Sequence, residues 1–367
     1  TLTTTTGNVL ISGIIGNGSG TVAVVQDGAG TLTLSGANTF TGGLTVKNGT
    51  VIAGNSVSAL GGTGTGAVTV GGGAGSGAAN ASLLFANSLN YANPITVASG
   101  GTGTYTIGNS AGAVTLSGGI TLNNNATISE TNIGGTGFSS GQYLNISGAI
   151  TGSGNLTLAG NGAISTNNSG QPSAVNNLLL SSTVGTTGSI TNSGTGTAIV
   201  NISGAISNAS SLTQNSATSM LILSSANTYT GATNVNAGVL KITNATAIST
   251  SSAVNVASGA TLQIQANSPL TAQTLTISGN GTSYSTGALE STNTASYLGN
   301  VILAADSTIS SDLATTTLTV GTVGSTTITG SGKNLTVTGA GNTTLSGSLN
   351  TVAGTLTKIG TGRLTLS

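Results

Sequence analysis

The chain contains no cysteine, no histidine and no tryptophan, and its 367 residues include only 5 Lys+Arg, 5 Asp+Glu and 3 prolines. Each shortage removes a class of function. Without cysteine there is neither a disulfide nor a thiolate metal site. Without histidine, the commonest general base and metal ligand is gone. With 3% charged residues, few groups remain for acid, base, metal or phosphate chemistry. The composition therefore argues against an enzyme and calls for no cofactor. A formal net charge of +0 offers no electrostatic footprint for nucleic acid or an anionic membrane surface. The longest apolar runs fall far short of a bilayer's thickness, so no membrane insertion by this segment is expected. The opening Thr1-Leu2-Thr3-Thr4-Thr5-Thr6 has no basic stretch followed by an apolar one, so no secretory leader is visible there.

What is present points to strands. Sixty glycines with abundant Ser, Thr, Asn and Ala would suit a disordered linker, yet 37% of residues are hydrophobic. They come in short runs such as Val22-Ala23-Val24-Val25, Leu32-Thr33-Leu34 and Leu221-Ile222-Leu223. Apolar residues recur at spacing two over four to six positions before Gly, Asn or Ser intervenes, and no segment has helical periodicity. Strands are predicted at Val9–Ile11, Val22–Val25, Thr31–Leu34, Leu44–Val46, Val68–Val70, Leu83–Phe85, Ile95–Val97, Val114–Leu116, Ile120–Leu122, Leu144–Ile146, Leu156–Leu158 and Leu178–Leu180. The same pattern continues through the second half. Aromatics at 2% favour a thin core of stacked Val, Ile, Leu and Ala over a wide globular one.

Internal repetition narrows the architecture. Gly30-Thr31-Leu32-Thr33-Leu34-Ser35-Gly36-Ala37-Asn38-Thr39-Phe40-Thr41-Gly42 recurs as Ser219-Met220-Leu221-Ile222-Leu223-Ser224-Ser225-Ala226-Asn227-Thr228-Tyr229-Thr230-Gly231. Flanking segments recur with it: Ile11 to Ile15 matches Ile202 to Ile206, and Ile120 to Ser129 matches Val301 to Ser310. A third copy begins at Leu345-Ser346-Gly347-Ser348-Leu349 and runs into Leu356-Thr357-Lys358 and Leu364-Thr365-Leu366. The expected organisation is one continuous solenoid. Residues 1–197 form a first module (repeat motif 28–51), 198–344 a second (motif 219–240), and 345–367 the start of a third, as in a segment of a longer array. The expected fold is all-β, a right-handed parallel β-helix with about 18 to 24 residues per coil and on the order of 15 to 20 coils. A stacked Ig-like array also accommodates the strand spacing, but it calls for modules of about 100 residues and large aromatic core residues.

At Gly28 to Gly43 and on through Gly49-Thr50-Val51, the sequence closely resembles the autotransporter-associated β-strand repeat, whose pattern reads Gly-x-Gly-x-Leu-x-Leu-Ser-Gly-x-Asn-Thr-aromatic-Thr-Gly. Leu221 to Leu240 fits it with Ser225 in place of a glycine, and Leu356 to Ser367 matches its front half. The residues carrying the pattern are Leu32, Leu34, Asn38, Phe40 and Gly42, then Leu221, Leu223, Asn227, Tyr229 and Gly231, then Leu364 and Leu366. The resemblance implies a passenger region of a large outer-membrane autotransporter, and with it a β-helical stalk at the bacterial cell surface. It supplies no active-site residues.

The candidates for chemistry are few. Asp27, Glu130, Glu290, Asp306 and Asp312 are scattered, and only Asp306 and Asp312 are close in sequence. Stacked carboxylates could serve a polysaccharide-acting β-helix enzyme or calcium, but Asp306 and Asp312 read as solvated turn residues. Lys47, Lys241, Lys333, Lys358 and Arg363 read as outward-facing charges that discourage lateral aggregation. Phe40 and Tyr229, at equivalent repeat positions, read as corner packing rather than ligand-stacking platforms. Thr-x-Thr runs such as Thr102 to Thr106 raise the thought of an ice-ordering ladder, but in sequence they are irregularly spaced and broken by Asn and Ser. The function expected is an extracellular structural and adhesive stalk, or else a subunit of a self-assembling fibre, sheath or surface layer. Its partners would be neighbouring repeats or copies of itself, or glycans and proteins of a cell surface or matrix.

Overall fold

The structure is a computed structural model that describes residues 7–62, 66–131, 143–162, 178–248, 250–270, 273–324 and 327–367. The Thr1 to Thr6 stretch lies outside them. Among the described residues no helix occurs and every strand pairing is parallel. Parallel strands cannot be joined by tight hairpins, so the chain must travel around before it pairs again. The outcome is a parallel β-solenoid of about 14 turns. It forms two compact units, residues 1–189 with 194–200, and residues 190–193 with 201–367.

In the first unit, three parallel sheets run along the coils. One stacks Asn8–Ile11, part of Val24–Leu34, part of Leu44–Ala53, then Ala81–Phe85, Tyr105–Asn109, Ala126–Glu130 and Leu156–Gly160. A second uses the opening halves of Val24–Leu34 and Leu44–Ala53, followed by Val68–Val70, Ile95–Val97, Ile120–Leu122 and Ile150–Gly152. The third stacks Asn90–Tyr91, Val114–Leu116, Leu144–Ile146 and Leu178–Leu180. Most three-residue strands bury their first and third side chains and leave the middle one half-buried, the period-two pattern of a strand with one dry face.

The second unit repeats this plan. Val301–Ser311 turns a corner and serves two sheets, pairing with Leu275–Gly279 through its first half and with Leu289–Ser291 and Leu335–Thr338 through its second. Ala295–Tyr297, Thr317–Val320, Asn342–Leu345 and Leu364–Leu366 build a separate third sheet.

The coils are longer and fewer than expected. One turn takes 19 residues where Leu221 sits opposite Leu240, but 34 where Leu144 sits opposite Leu178. Corner connections accept insertions without disturbing the strands because the rungs alone carry the parallel ladder.

The interior holds Val, Ile and Leu in ladders such as Val68, Ile95 and Ile120, each at most 2% exposed. Burying each such side chain contributes about 1.5 to 3 kcal/mol. It is wider than the composition suggests, since Phe40, Phe85, Tyr91, Tyr105, Tyr229 and Tyr297 are all fully buried. Phe85 and Tyr91 pack with ring centroids 4.6 Å apart, and the Tyr91 hydroxyl donates to Gly54 O at 2.9 Å. Burial pushes the Tyr91 phenol up to about 12.

Outside, one ladder is regular. Thr45, Thr69, Thr96, Thr121 and Thr151 oppose one another on five consecutive rungs of the second sheet. Their spacing along the chain is uneven, and the differing coil lengths hid this order from a linear reading.

Candidate functional site

Each repeat motif is built from two strands and the corner between them. Leu32 and Leu34 point inward and are fully buried, as are Leu44, Val46, Val51 and Ala53. The corner polar group that matters is Asn38, 1% exposed. Its Oδ1 accepts from the Ile15 N–H at 2.8 Å, and its Nδ2 donates to Ala59 O at 2.7 Å. Ile15 lies on the preceding coil and Ala59 on the following one, so a single amide ties three coils together. A buried amide has to find such partners, because leaving its groups unpaired costs about 1 to 3 kcal/mol each.

The second copy repeats the arrangement. Asn227 accepts from the Ile206 N–H at 2.8 Å and donates to Ala247 O at 2.9 Å. Phe40 and Tyr229 fill the widened corner next to these amides. The Tyr229 hydroxyl pairs with Thr233 Oγ1 at 2.7 Å, which in turn reaches Ser251 Oγ at 2.9 Å. Gly42 and Gly231 lie where coils nearly touch: a Cβ would come within 2.6 Å of Val22 O and 2.0 Å of Ser210 O, respectively.

The carboxylates differ from expectation. Glu130 and Glu290, which the sequence placed only among scattered charges, are buried, at 0% and 2% exposed. Asp306 and Asp312 are not a pair. Asp306 is exposed and accepts from the Asn334 N–H and Nδ2, both at 2.9 Å, which hold its carboxyl below the usual range. Asp312 instead meets Glu290 on the neighbouring coil. Gln263 Nε2 donates to Glu290 Oε2 at 3.0 Å from the coil on the other side. Burial, and after it contact with Asp312, pushes the Glu290 carboxyl up to about 8. Thr286 Oγ1 donates to Asp312 Oδ1 over the pair; Glu290 is buried and Asp312 partly exposed.

The cations are exposed or half-buried. Lys47 pairs with Asp27 at 3.5 Å, with both side chains more than two-fifths exposed, so solvent reduces the pair's worth to about 1 kcal/mol or less. The two residues, with Asn48 and Ser76, edge an open groove of about 350 Å³. No group of three or more metal-ligating side chains occurs among the described residues.

With this geometry established, comparison with known proteins gives one match. Residues 24–53 and 218–242 match the passenger-associated-transport-repeat family. No curated protein and no solved structure matches the chain. The first transport repeat spans the strands Val24–Leu34 and Leu44–Ala53, and the second spans Leu221–Leu223 and Ala232–Ile242.

One feature escaped the sequence reading, inside the first transport repeat and just before the second. Gln26 is fully buried, and its Nε2 donates to Gly28 O at 2.7 Å and Gly30 O at 3.1 Å, closing the corner from inside. Gln214 makes the same hook to Ser216 O and Ser219 O, both at 2.8 Å. A polar residue in an apolar alternation, shared by two copies, was the available signal. Farther on, Lys358 stands two residues before Gly360 as Gln26 stands two before Gly28, and its Nζ donates to Gly360 O at 3.0 Å. There Leu364 is half-buried and Leu366 is 60% exposed.

Proposed function

We propose that the chain is a structural and adhesive section of an extracellular passenger stalk at a bacterial cell surface. The observation that carries this reading is the Asn38 and Asn227 clamp, which makes each transport repeat a fastener between its neighbouring coils. A protein that works by extending needs coils that do not separate under load, and a buried amide bonded to the coil on either side resists both slippage and peeling. Adhesion would rest on the outer faces, where registered threonines such as Thr45, Thr69 and Thr96 offer a neutral, hydrogen-bonding surface. The non-catalytic character of the repeat family and the burial of Glu290 beneath the chain favour this reading over a polysaccharide-acting enzyme.

Electron microscopy of cells displaying the native protein tests it. Isolated thin rods reaching outward, lost from cells on deletion of this segment, are the expected result. Ordered lateral or end-to-end lattices would instead make the chain a fibre or surface-layer subunit, a reading its very low charge also suits. Turnover of common glycans that disappears on changing Asp312 would overturn both.

A further inference from the structure

On one outer column of the second unit, Lys241, Gln263, Glu290 and Ser310 follow one another in register on consecutive coils. The connection from Leu275–Gly279 to Leu289–Ser291 folds over this column as a strap. At its near side, the Thr282 N–H donates to Thr261 Oγ1 at 3.1 Å, and Thr261 Oγ1 donates to Gly287 O at 3.0 Å. At its far side, Thr286 is the attachment. Its hydroxyl bonds Ser310 Oγ and Asp312 Oδ1, and its backbone N–H donates to the Glu290 carboxyl. Beneath it, Glu290 and Asp312 share a hydrogen bond. Two carboxylates can do so only if one keeps a proton, and Glu290, 2% exposed, is the one with the greater reason to stay neutral.

We propose that Glu290, Asp312 and Thr286 form a proton-operated latch, which holds residues 280–287 against the coil while Glu290 is protonated and releases them when it ionises. On ionisation the Glu290–Asp312 contact changes from a hydrogen bond to two like charges, the glutamate's being buried. Residues 280–287 are the part that can yield, because their other attachments to the coil are hydroxyl contacts, backbone pairing resumes only at Ala288, and the tip, Tyr284, is 89% exposed.

The charges facing the pair fix the direction. Asp312 tends upward through burial, but its bonds to Glu290, Ser310 and Thr286 outweigh that and hold it below the usual range. Lys241 is two rungs away and favours the ionised glutamate. The strap contains no charged residue, and Thr338, opposite Ser310 on the next coil, is neutral. Asp306 is engaged by Asn334 with Lys333 nearby, away from the pair. With Glu290 raised to about 8 when covered and near 4.5 when uncovered, opening of the strap grows as pH climbs through that interval.

Hydrogen exchange of peptides covering 280–288, corrected for the intrinsic rate at each pH, reads the latch on the whole chain. Strap protection in the unaltered protein should fall at least tenfold between pH 5.5 and 8.5 while that of core strands stays level. Glu290→Gln, which keeps an amide donor to Asp312 and cannot ionise, should stay protected throughout. Asp312→Asn should weaken the release, since an ionised Glu290 then faces no like charge and its covered value is raised less. Strap protection in the unaltered protein that is flat across this range overturns the proposal, as does an equal fall in Glu290→Gln.

Discussion

Asn38 and Asn227 occupy equivalent corners of the two transport repeats and make the same pair of hydrogen bonds, accepting from Ile15 N–H and Ile206 N–H and donating to Ala59 O and Ala247 O. Sequence identity at one position thus corresponds to identical bonding across three coils, in surroundings that otherwise differ.

Replacing either asparagine by alanine strands a buried N–H and removes the donor to a carbonyl. The expected loss is about 2 to 4 kcal/mol per substitution, more than a surface change would cause. Urea midpoints of Asn38→Ala and Asn227→Ala measure it; a shift equivalent to less than about 0.5 kcal/mol would remove the clamp from the account.

Gly238 and Gly259 separate two costs of adding a methyl group. Both have left-handed φ, at 65° and 81°, but a Cβ at Gly238 lies 2.1 Å from Ser216 O whereas one at Gly259 meets nothing within 4 Å. Gly259→Ala should cost about 1 kcal/mol, the backbone preference alone. Gly238→Ala should cost over twice that, because the neighbouring coil must move. Equal thermal stabilities for the two would refute the close-approach explanation.

The two buried aromatics should answer differently to trimming. Phe40→Ala leaves a cavity beside the clamp and should cost about 3 to 5 kcal/mol. Tyr229→Phe keeps the volume and removes one hydroxyl from the Thr233–Ser251 chain, for a loss of about 1 kcal/mol. Protease resistance of the surrounding coils should collapse in the first and persist in the second.

Glu290 also makes overall stability depend on pH. Its folded value is raised, so its contribution is fully present below the unfolded value near 4.5 and is lost as pH rises through about 8. Asp312, held low, works in the opposite sense: its contribution is present above 3.8 and is lost as pH falls through its folded value. Glu290→Gln should therefore match the unaltered chain near pH 4.5 and exceed it at pH 9. Denaturant midpoints that track together across this range would contradict the raised glutamate.

Strands were readable wherever apolar residues alternate on either side of a polar one. Val68–Val70, Ile95–Val97, Val114–Leu116, Ile120–Leu122 and Leu144–Ile146 lie where the pattern predicts. Tyr105–Asn109, whose last two residues are Gly and Asn, and Ala126–Glu130 were not picked out, because their ends look like turns. Val22–Val25 and Thr31–Leu34 were read as separate strands, yet Val24–Leu34 is one strand that bends where its register shifts at Asp27. The Gln26 hook holds that bend, and a polar side chain turned inward is not legible from alternation alone.

By itself the sequence determined the period-two strands, the parallel coil implied by repetition without hairpin turns, and the repeat positions of Asn38, Phe40 and their counterparts. These are local properties, set by side-chain pattern and corner chemistry. Only the tertiary structure decided which residues on different coils meet. Coil length varies between corners, so no fixed spacing tells that Glu290 faces Asp312 while Asp306 turns to Asn334, or that Thr45, Thr69, Thr96, Thr121 and Thr151 share one ladder. Such neighbours are fixed by the register of the backbone ladder, which hydrogen bonds between coils set rung by rung and which the linear chain does not carry.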